Sequence, residues 1–257
     1  MNLGDCYNFD DFRKLAKKKL PSPIFNYIDG GADDEITLKR NTVAFDECDL
    51  VPNVLASVGK PDLSTEVFGR KLNMPIFLSP TAMQRLYHHD GDKASARAAE
   101  KFGTMYSMST MATSSIEDIA NISSGPKLFQ LYVHKDQSIT DDLIKRCKRA
   151  NFDGLCLTVD TLVAGNRERD YRTGFTTPPK LTLKSLLSFA SHPMWVFNYL
   201  THKKFELSNV KTKTDKGTTI TKSVIEYINE QYDPMMNWKD AEYCIKKWNG
   251  PFALKGV

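Results

Sequence analysis

Lys127-Leu128-Phe129-Gln130-Leu131-Tyr132-Val133 and, one helical stretch later, Gly154-Leu155-Cys156-Leu157-Thr158-Val159 decide the fold. Both runs are short, apolar and rich in strand-forming residues. Between them Thr140–Ala150 carries Leu143, Ile144 and Cys147 at helical spacing. The same unit continues in both directions. Upstream lie the apolar runs Thr104–Ser109 and Pro75–Ser79, and downstream lies Pro251–Val257. Helical stretches fall between the upstream runs, at Ala94–Phe102 and Ser114–Ala120. The second opens with Ser-Ser and has acids in its first turn, an N-cap pattern. The first four strands recur roughly every 25 residues, the length of one βα unit, which implies parallel strands joined by crossover helices.

Strand–helix alternation on this scale builds either a doubly wound sheet or a TIM (β/α)₈ barrel. The polar residues favour the barrel. Thr81 follows the first strand and Ser109 ends the second; Gln130 and Tyr132 lie on the third, Thr158 and Asp160 end the fourth, and Lys255 lies in the fifth. Functional groups drawn from the carboxyl ends of successive strands are how a TIM barrel assembles a site. A dinucleotide-binding sheet would show G-x-G-x-x-G after its first strand, and no such motif is present. About five of the eight βα units of such a barrel are accounted for. The expected organisation is therefore one domain, 1–257, truncated: an N-terminal helical extension over 1–74 and a partial barrel over 75–257, with a long insertion at about 170–235. The extension should hold an amphipathic helix at Phe9–Leu20, ended by Pro21, and a second helix at Pro23–Asp29, closed by Gly30-Gly31.

Composition excludes several function classes. A net charge of +4 with no basic stripe argues against nucleic acid. Five cysteines without a C-x-x-C pair point to free thiols in a reducing compartment and to no metal site. Met1–Asp10 lacks the apolar segment of a secretory signal, and no run reaches the ~18 apolar residues of a span. A cytoplasmic protein is expected, with peripheral contact on the inner face of the cytoplasmic membrane left open. The insertion is rich in lysine (Lys180, Lys184, Lys203, Lys204, Lys211, Lys213, Lys216, Lys222), and Leu181–Leu200 mixes aliphatic residues with Trp195, Phe197 and Tyr199. An interfacial helix over about 181–204 suits that pattern; an oligomer contact or a lid suits it equally.

Hydroxyls and amides at the strand ends suit a planar, polar-edged cofactor, and Lys255 would stabilise negative charge on it, as an isoalloxazine ring requires. The plainer reading makes Gln130 and Thr158 satisfied core polars and Lys255 a solvated surface lysine. At this point a resemblance enters. Pro80-Thr81-Ala82-Met83, Phe129-Gln130-Leu131-Tyr132-Val133, Leu157-Thr158-Val159-Asp160-Thr161, Gly165-Asn166-Arg167-Glu168-Arg169-Asp170 and Leu254-Lys255-Gly256-Val257 resemble the FMN-dependent 2-hydroxy-acid oxidase and dehydrogenase family. The match runs from Tyr7 to the last residue. Gly165–Gly174, Asp233–Asp240 and the Trp-containing insertion look most like its bacterial L-lactate dehydrogenase branch.

The resemblance implies FMN as cofactor and oxidation of an (S)-2-hydroxy acid such as L-lactate, with electrons passing to a quinone, a cytochrome or oxygen. It also implies a homo-oligomer. Tyr27, in Asn26-Tyr27-Ile28-Asp29-Gly30-Gly31, would bind the substrate carboxylate; Arg167 would help to hold it with a bidentate fork. Pro80, Thr81 and Ala82 would border the flavin near N5. Ser109, Gln130 and Thr158 would hydrogen-bond the ring's polar edge, and Lys255 would sit by N1–C2=O. Tyr132 would lie beside the substrate hydroxyl. Asp160 would orient the catalytic histidine, as a carboxylate fixes an imidazole tautomer in a triad. The family's histidine, in a His-Gly-Gly-Arg-like motif after the next strand, is expected to lie beyond Val257, and so is its phosphate site. His88, His89, His134, His192 and His202 do not match the histidine's position. Met111 stands where glycolate oxidases carry an aromatic residue, which leaves substrate size open. Rival readings are an inactive remnant or flavin-binding module, an oxygen-using oxidase, and another FMN barrel such as an isomerase or nucleotide dehydrogenase.

Overall fold

The computed structural model describes residues 2–57, 59–161, 165–176, 180–203, 205–210, 233 and 235–257. The chain divides into two compact units, Met1–Pro61 with Ala164–His202, and Asp62–Val163 with Lys203–Val257.

The second unit holds a parallel sheet. In chain order it begins with an antiparallel hairpin of β1 (Thr65–Val67) and β2 (Arg70–Leu72). Then come α1 (Gly91–Lys101), β3 (Tyr106–Ser109), α2 (Ile116–Ile122), β4 (Lys127–Leu131), α3 (Gln137–Arg149) and β5 (Gly154–Thr158). Near the end lie α4 (Trp238–Trp248) and β6 (Phe252–Lys255). The strands β3, β4, β5 and β6 pair in that order and all in parallel. The crossover architecture read from the sequence is thus present, as an open four-stranded sheet. The described residues do not close a barrel. The strand expected at Pro75–Ser79 is reduced to a single bridge, Leu78 to Tyr106. Leu78 N–H donates to Met105 O at 3.0 Å and Leu78 O accepts from Ser107 N at 3.1 Å. Pro75 can give no ladder bond, and Ile76 and Phe77 stay exposed, with no further strand beside them among the described residues.

Alternation along the strands divides the sheet into two unlike faces. Tyr106, Met108, Phe129, Leu131, Leu155 and Leu157 point to one side and pack on Ala96, Ile119, Leu143, Ile144 and Trp248 from the helices. That face is the main core. The inner face carries Met105, Leu128 and Cys156 at its amino-terminal end, covered by Leu72, Val67 and Phe68 from the hairpin. Arg70 fixes the hairpin there through Asp153 at 2.8 Å, whose other oxygen accepts Lys127 N–H at 2.7 Å. Toward the carboxyl ends the same face turns polar, which places the candidate site. The hairpin was not foreseen, because 1–74 reads as helical. Its signal is the Phe68-Gly69 turn, where both residues have positive φ, 53° and 73°, as a two-residue hairpin of that twist requires.

Three helices of this unit start at side-chain caps, of which the sequence reading marks the one at Ser115. Ser115 and Asp118 form a reciprocal capping box at the head of α2, and Asn237 and Asp240 do the same for α4. Asp136 caps α3 by accepting from Ser138 N–H at 2.9 Å.

The first unit is helical: α5 (Phe9–Lys19), α6 (Ser22–Asp29), α7 (Ile36–Val43), α8 (Glu168–Thr173), α9 (Leu183–Ala190) and α10 (Pro193–Thr201). Asn8 caps α5 and three lysines complement its last turn before Pro21. The apolar stretch expected as one interfacial helix is two short ones. Ser191-His192-Pro193 interrupts it, since Pro193 cannot continue a helix from the preceding turn but can start one. Lys204, Lys211, Lys213, Lys216 and Lys222 of the insertion lie outside the described residues.

Candidate active site

The inner face of the sheet presents a connected polar row at its carboxyl end. Ser109 and Gln130 are register partners across β3 and β4, and Thr158 and Lys255 across β5 and β6. Ser109 Oγ donates to Gln130 Oε1 at 3.2 Å, and Gln130 Nε2 donates to Thr158 Oγ1 at 2.8 Å. All three are buried. Their mutual bonds do not exhaust them: the Gln130 amide has a second N–H and the Thr158 hydroxyl still has its own proton. Lys255 continues the row into solvent, its side chain 44% exposed.

Asp160 stands just past β5, with Oδ1 4.0 Å from Lys255 Nζ. Both groups are half-exposed, so the pair holds little energy and leaves the ammonium available to another anion. Backbone after β6 comes close to Asp160. Gly256 has φ of 100°, and a Cβ there would lie 2.4 Å from Asp160 Cγ, so only glycine fits. Cys156 lies on the same face; burial raises its thiol pKa, partly offset by Lys255.

Pro80, Thr81 and Ala82 are half-buried, and Thr81 Oγ1 donates to Ser79 O at 3.4 Å. They reach the row through Met83, whose N–H donates to Met111 O at 3.0 Å, while Met111 N–H donates to Ser109 Oγ at 3.1 Å. Tyr132 is half-buried just beyond β4, its N–H bonded to Thr110 Oγ1 at 3.2 Å. His134, read as incidental, is buried, and burial lowers its pKa to about 4. His88 and His89 are exposed, as expected.

A second cluster belongs to the first unit. The Arg167 guanidinium lies 4.9 Å from the centroid of the Tyr27 ring, in cation–π geometry, and its Nη2 donates to Tyr27 O. Asp170 holds Arg167 Nε at 2.7 Å, and Phe175 packs against Tyr27 at 5.2 Å between ring centroids. Burial raises the pKa of Tyr27, opposed by Arg167, and burial also raises that of Asp170. The two residues assigned to a carboxylate are therefore neighbours, and one is a cation whose fork is already oriented by a carboxylate. Arg169 reinforces the arrangement by bridging Asp29 at 2.8 Å and Glu35, while Arg13 holds Asp29 from the other side at 2.5 Å. Burial works against ionisation of Asp29, but the two arginines outweigh it and lower its pKa.

Sequence reasoning missed two supporting carboxylates, Asp170 and Asp92. Asp92 is fully buried and accepts from Tyr106, Thr113 and Ser114. Its only sequence signal is an acid in the first turn of a helix, which ordinarily marks a solvated cap.

The donor set fits a flavin. A flat ring with alternating carbonyls and N–H groups along one edge needs partners able to donate or accept, and Ser109, Gln130 and Thr158 supply them in line. A cation at the end of that line matches the charge that reduced flavin carries at N1–C2=O. Comparison with known proteins points the same way. Residues 16–257, spanning both units, match the family model described as FMN-dependent dehydrogenase. Glycolate oxidase 1 of Oryza sativa subsp. indica is 37% identical over 255 residues, covering 99% of this chain and 63% of that protein. L-lactate dehydrogenase of Vibrio parahaemolyticus is 38% identical over 248 residues, 96% of this chain and 65% of that protein. Among solved structures, a crystal structure of the monotopic membrane protein (S)-mandelate dehydrogenase superposes with a TM-score of 0.91 at 31% identity. It covers 98% of this chain and 67% of that one. The chain spans less than two thirds of the length of these curated relatives.

Proposed function

The chain belongs to the FMN-dependent dehydrogenase family, and from that premise we propose that it is part of an enzyme oxidising (S)-2-hydroxy acids to 2-oxo acids. One observation carries the reading: the buried row Ser109–Gln130–Thr158, ending in the half-exposed Lys255 beside Asp160. Within one family domain, β3–β6 would be consecutive strands of a (β/α)₈ barrel, with the row at the catalytic carboxyl end. Further strands would cover the edges that β6 and Leu78 now expose.

Bound FMN supplies a two-electron acceptor. Ser109, Gln130 and Thr158 would fix the polar edge of its ring, and Pro80–Ala82 would border it near N5. Lys255 would place positive charge beside N1–C2=O, where it favours the reduced, anionic form. Tyr27 and Arg167 would bind the substrate carboxylate, with Asp170 keeping the guanidinium oriented. Tyr132 would stand beside the substrate hydroxyl. Asp160 would orient and charge-stabilise the histidine that takes the hydroxyl proton. The relatives bear the names of lactate, glycolate and mandelate enzymes; L-lactate is the substrate we favour, with a quinone, a cytochrome or oxygen receiving the electrons. The test is anaerobic mixing of the full-length flavoprotein with L-lactate, glycolate or (S)-mandelate. Bleaching of the flavin by an (S)-2-hydroxy acid supports the proposal. A flavin that dithionite reduces and none of the three acids does would refute it.

Membrane contact through 181–204 belongs to the same proposal. No helix among the described residues is long and apolar enough to cross a membrane. Leu183, Leu187, Met194, Phe197 and Leu200 on α9 and α10 are nevertheless 60% exposed or more, with Lys180, Lys184 and Lys203 near them in sequence. The mandelate dehydrogenase with the similar fold is described as a monotopic membrane protein. Apolar residues flanked in sequence by lysine suit the boundary of an anionic bilayer. Removing two such side chains, at about 1.5–3 kcal/mol each when buried, should weaken partitioning about a hundredfold or more. The double variant Leu187→Glu/Phe197→Glu is therefore expected to stay in the supernatant when phosphatidylglycerol vesicles sediment the wild type. Equal sedimentation of both proteins would remove α9 and α10 from the membrane.

A further inference from the structure

Asp92 is a fully buried carboxylate that the proposed chemistry does not use. It sits in the first turn of α1, and among the described residues no lysine or arginine forms a salt bridge with it. A carboxylate without a cation is costly to bury, so its partners have to compensate. They all come from β3 and the loop that follows. Oδ2 accepts from Thr113 Oγ1 at 2.5 Å, Thr113 N–H at 2.9 Å and Ser114 N–H at 3.1 Å; Oδ1 accepts from the Tyr106 hydroxyl at 3.2 Å.

That loop, Thr110–Ser114, is buried throughout and touches the Ser109–Gln130 half of the polar row. Thr110 N–H and Oγ1 both donate to Gln130 O, at 3.0 and 2.7 Å. Met111 N–H donates to Ser109 Oγ, and Met111 O accepts from Met83 N–H, next to Ala82. One carboxylate thus anchors the far end of a loop whose near end sets the Ser109 hydroxyl, the Gln130 strand end and the Pro80–Met83 backbone.

We propose that Asp92 is a positioning residue for the flavin: by holding Thr113 and Ser114 it fixes the loop that aligns Ser109, Gln130 and residues 80–83 against the ring. This rests on the flavin reading above. The role is geometric. An acceptor oxygen aimed at Thr113 and Ser114 is what the loop needs, so asparagine can substitute where alanine cannot.

The test uses the full-length flavoprotein as wild type, Asp92→Ala and Asp92→Asn. Amide hydrogen exchange, FMN titration and the visible spectrum of bound flavin are measured on each. In Asp92→Ala the amides of Met83, Met111, Thr113 and Ser114 should exchange faster, while those of α3 keep wild-type protection. FMN affinity should fall about tenfold, the consequence of leaving buried donors unpaired, with a changed flavin band shape. Asp92→Asn should recover most of the affinity and the spectrum. Wild-type affinity and spectrum in Asp92→Ala, with the loop exchanging faster, would overturn the proposal, because the clamp would then not reach the flavin. Faster exchange throughout α3 and β4 would overturn it too, making Asp92 a residue of general stability. A wild type that takes up no FMN would overturn the flavin reading itself, an outcome distinct from both.

Discussion

Asp160→Asn will lower kcat for 2-hydroxy-acid oxidation by about two to four orders of magnitude, the range that general acid–base catalysis contributes, with the loss of a triad carboxylate's charge at its upper end. KM should change little. The expectation follows from where Asp160 stands. It lies one residue past Val159 at the carboxyl end of the sheet, half-exposed, held by no short ion pair among the described residues, with Lys255 Nζ at 4.0 Å. A carboxylate whose work is to hold neighbouring groups in place would be buried and satisfied, as Asp92 is. Asp160 instead has acceptor capacity to spare, which suits a group that orients an imidazole and stabilises the imidazolium formed after proton transfer. Because it is exposed, the amide variant should unfold at the wild-type temperature, so a loss of turnover would belong to chemistry. Steady-state kinetics on the full-length protein decides it. A change in kcat of less than about threefold would leave Asp160 outside the proton-transfer machinery.

Lys255→Met will slow reduction of the flavin by substrate by about 10²–10³-fold, the usual cost of deleting one charge-stabilising donor at a reacting centre. Lys255 belongs to β6, its backbone O accepting Val159 N–H at 2.9 Å, so the side chain starts from a fixed point on the sheet. Methionine keeps most of the stem's bulk and removes the ammonium. The anionic reduced flavin loses its counter-charge, and the reduction potential must therefore fall. Lys255→Arg should retain most of the potential, since the charge persists. Rapid-mixing kinetics and a redox titration test both halves. An unchanged potential in Lys255→Met would place the ammonium away from the flavin and return it to the reading of a solvated surface lysine.

How much of this was legible beforehand differs between elements for physical reasons. Strands β3, β4 and β5 are buried on both faces and write themselves as short apolar runs, and the turn chemistry at Ser115 marks a helix start. Their parallel order follows from the length of the crossovers. The hairpin β1–β2 was missed because its apolar residues alternate over only three positions on each side of Phe68-Gly69. The first strand was expected from composition, but strand content also depends on a partner, and among the described residues Leu78 pairs only with Tyr106. The stretch Leu181–Leu200 was legible as apolar, but its break at Pro193 is visible only in the structure.

At the site, sequence by itself determined which residue types end each strand, because a period of two and the βα repeat fix both the face and the end on which a side chain emerges. The strand-end places of Ser109, Gln130, Thr158 and Lys255 follow from that; the family rests instead on the resemblance of the motifs from Pro80–Met83 to Leu254–Val257. Tertiary structure alone decided the contacts within each unit: in the sheet unit the Gln130–Thr158 bond and the buried Asp92 under the loop, and in the helical unit the Arg167–Tyr27 stack. Residues 140 positions apart, or a carboxylate whose partners lie on another element, carry no local pattern to read. Their meeting is set by packing, and packing is a property of the folded chain.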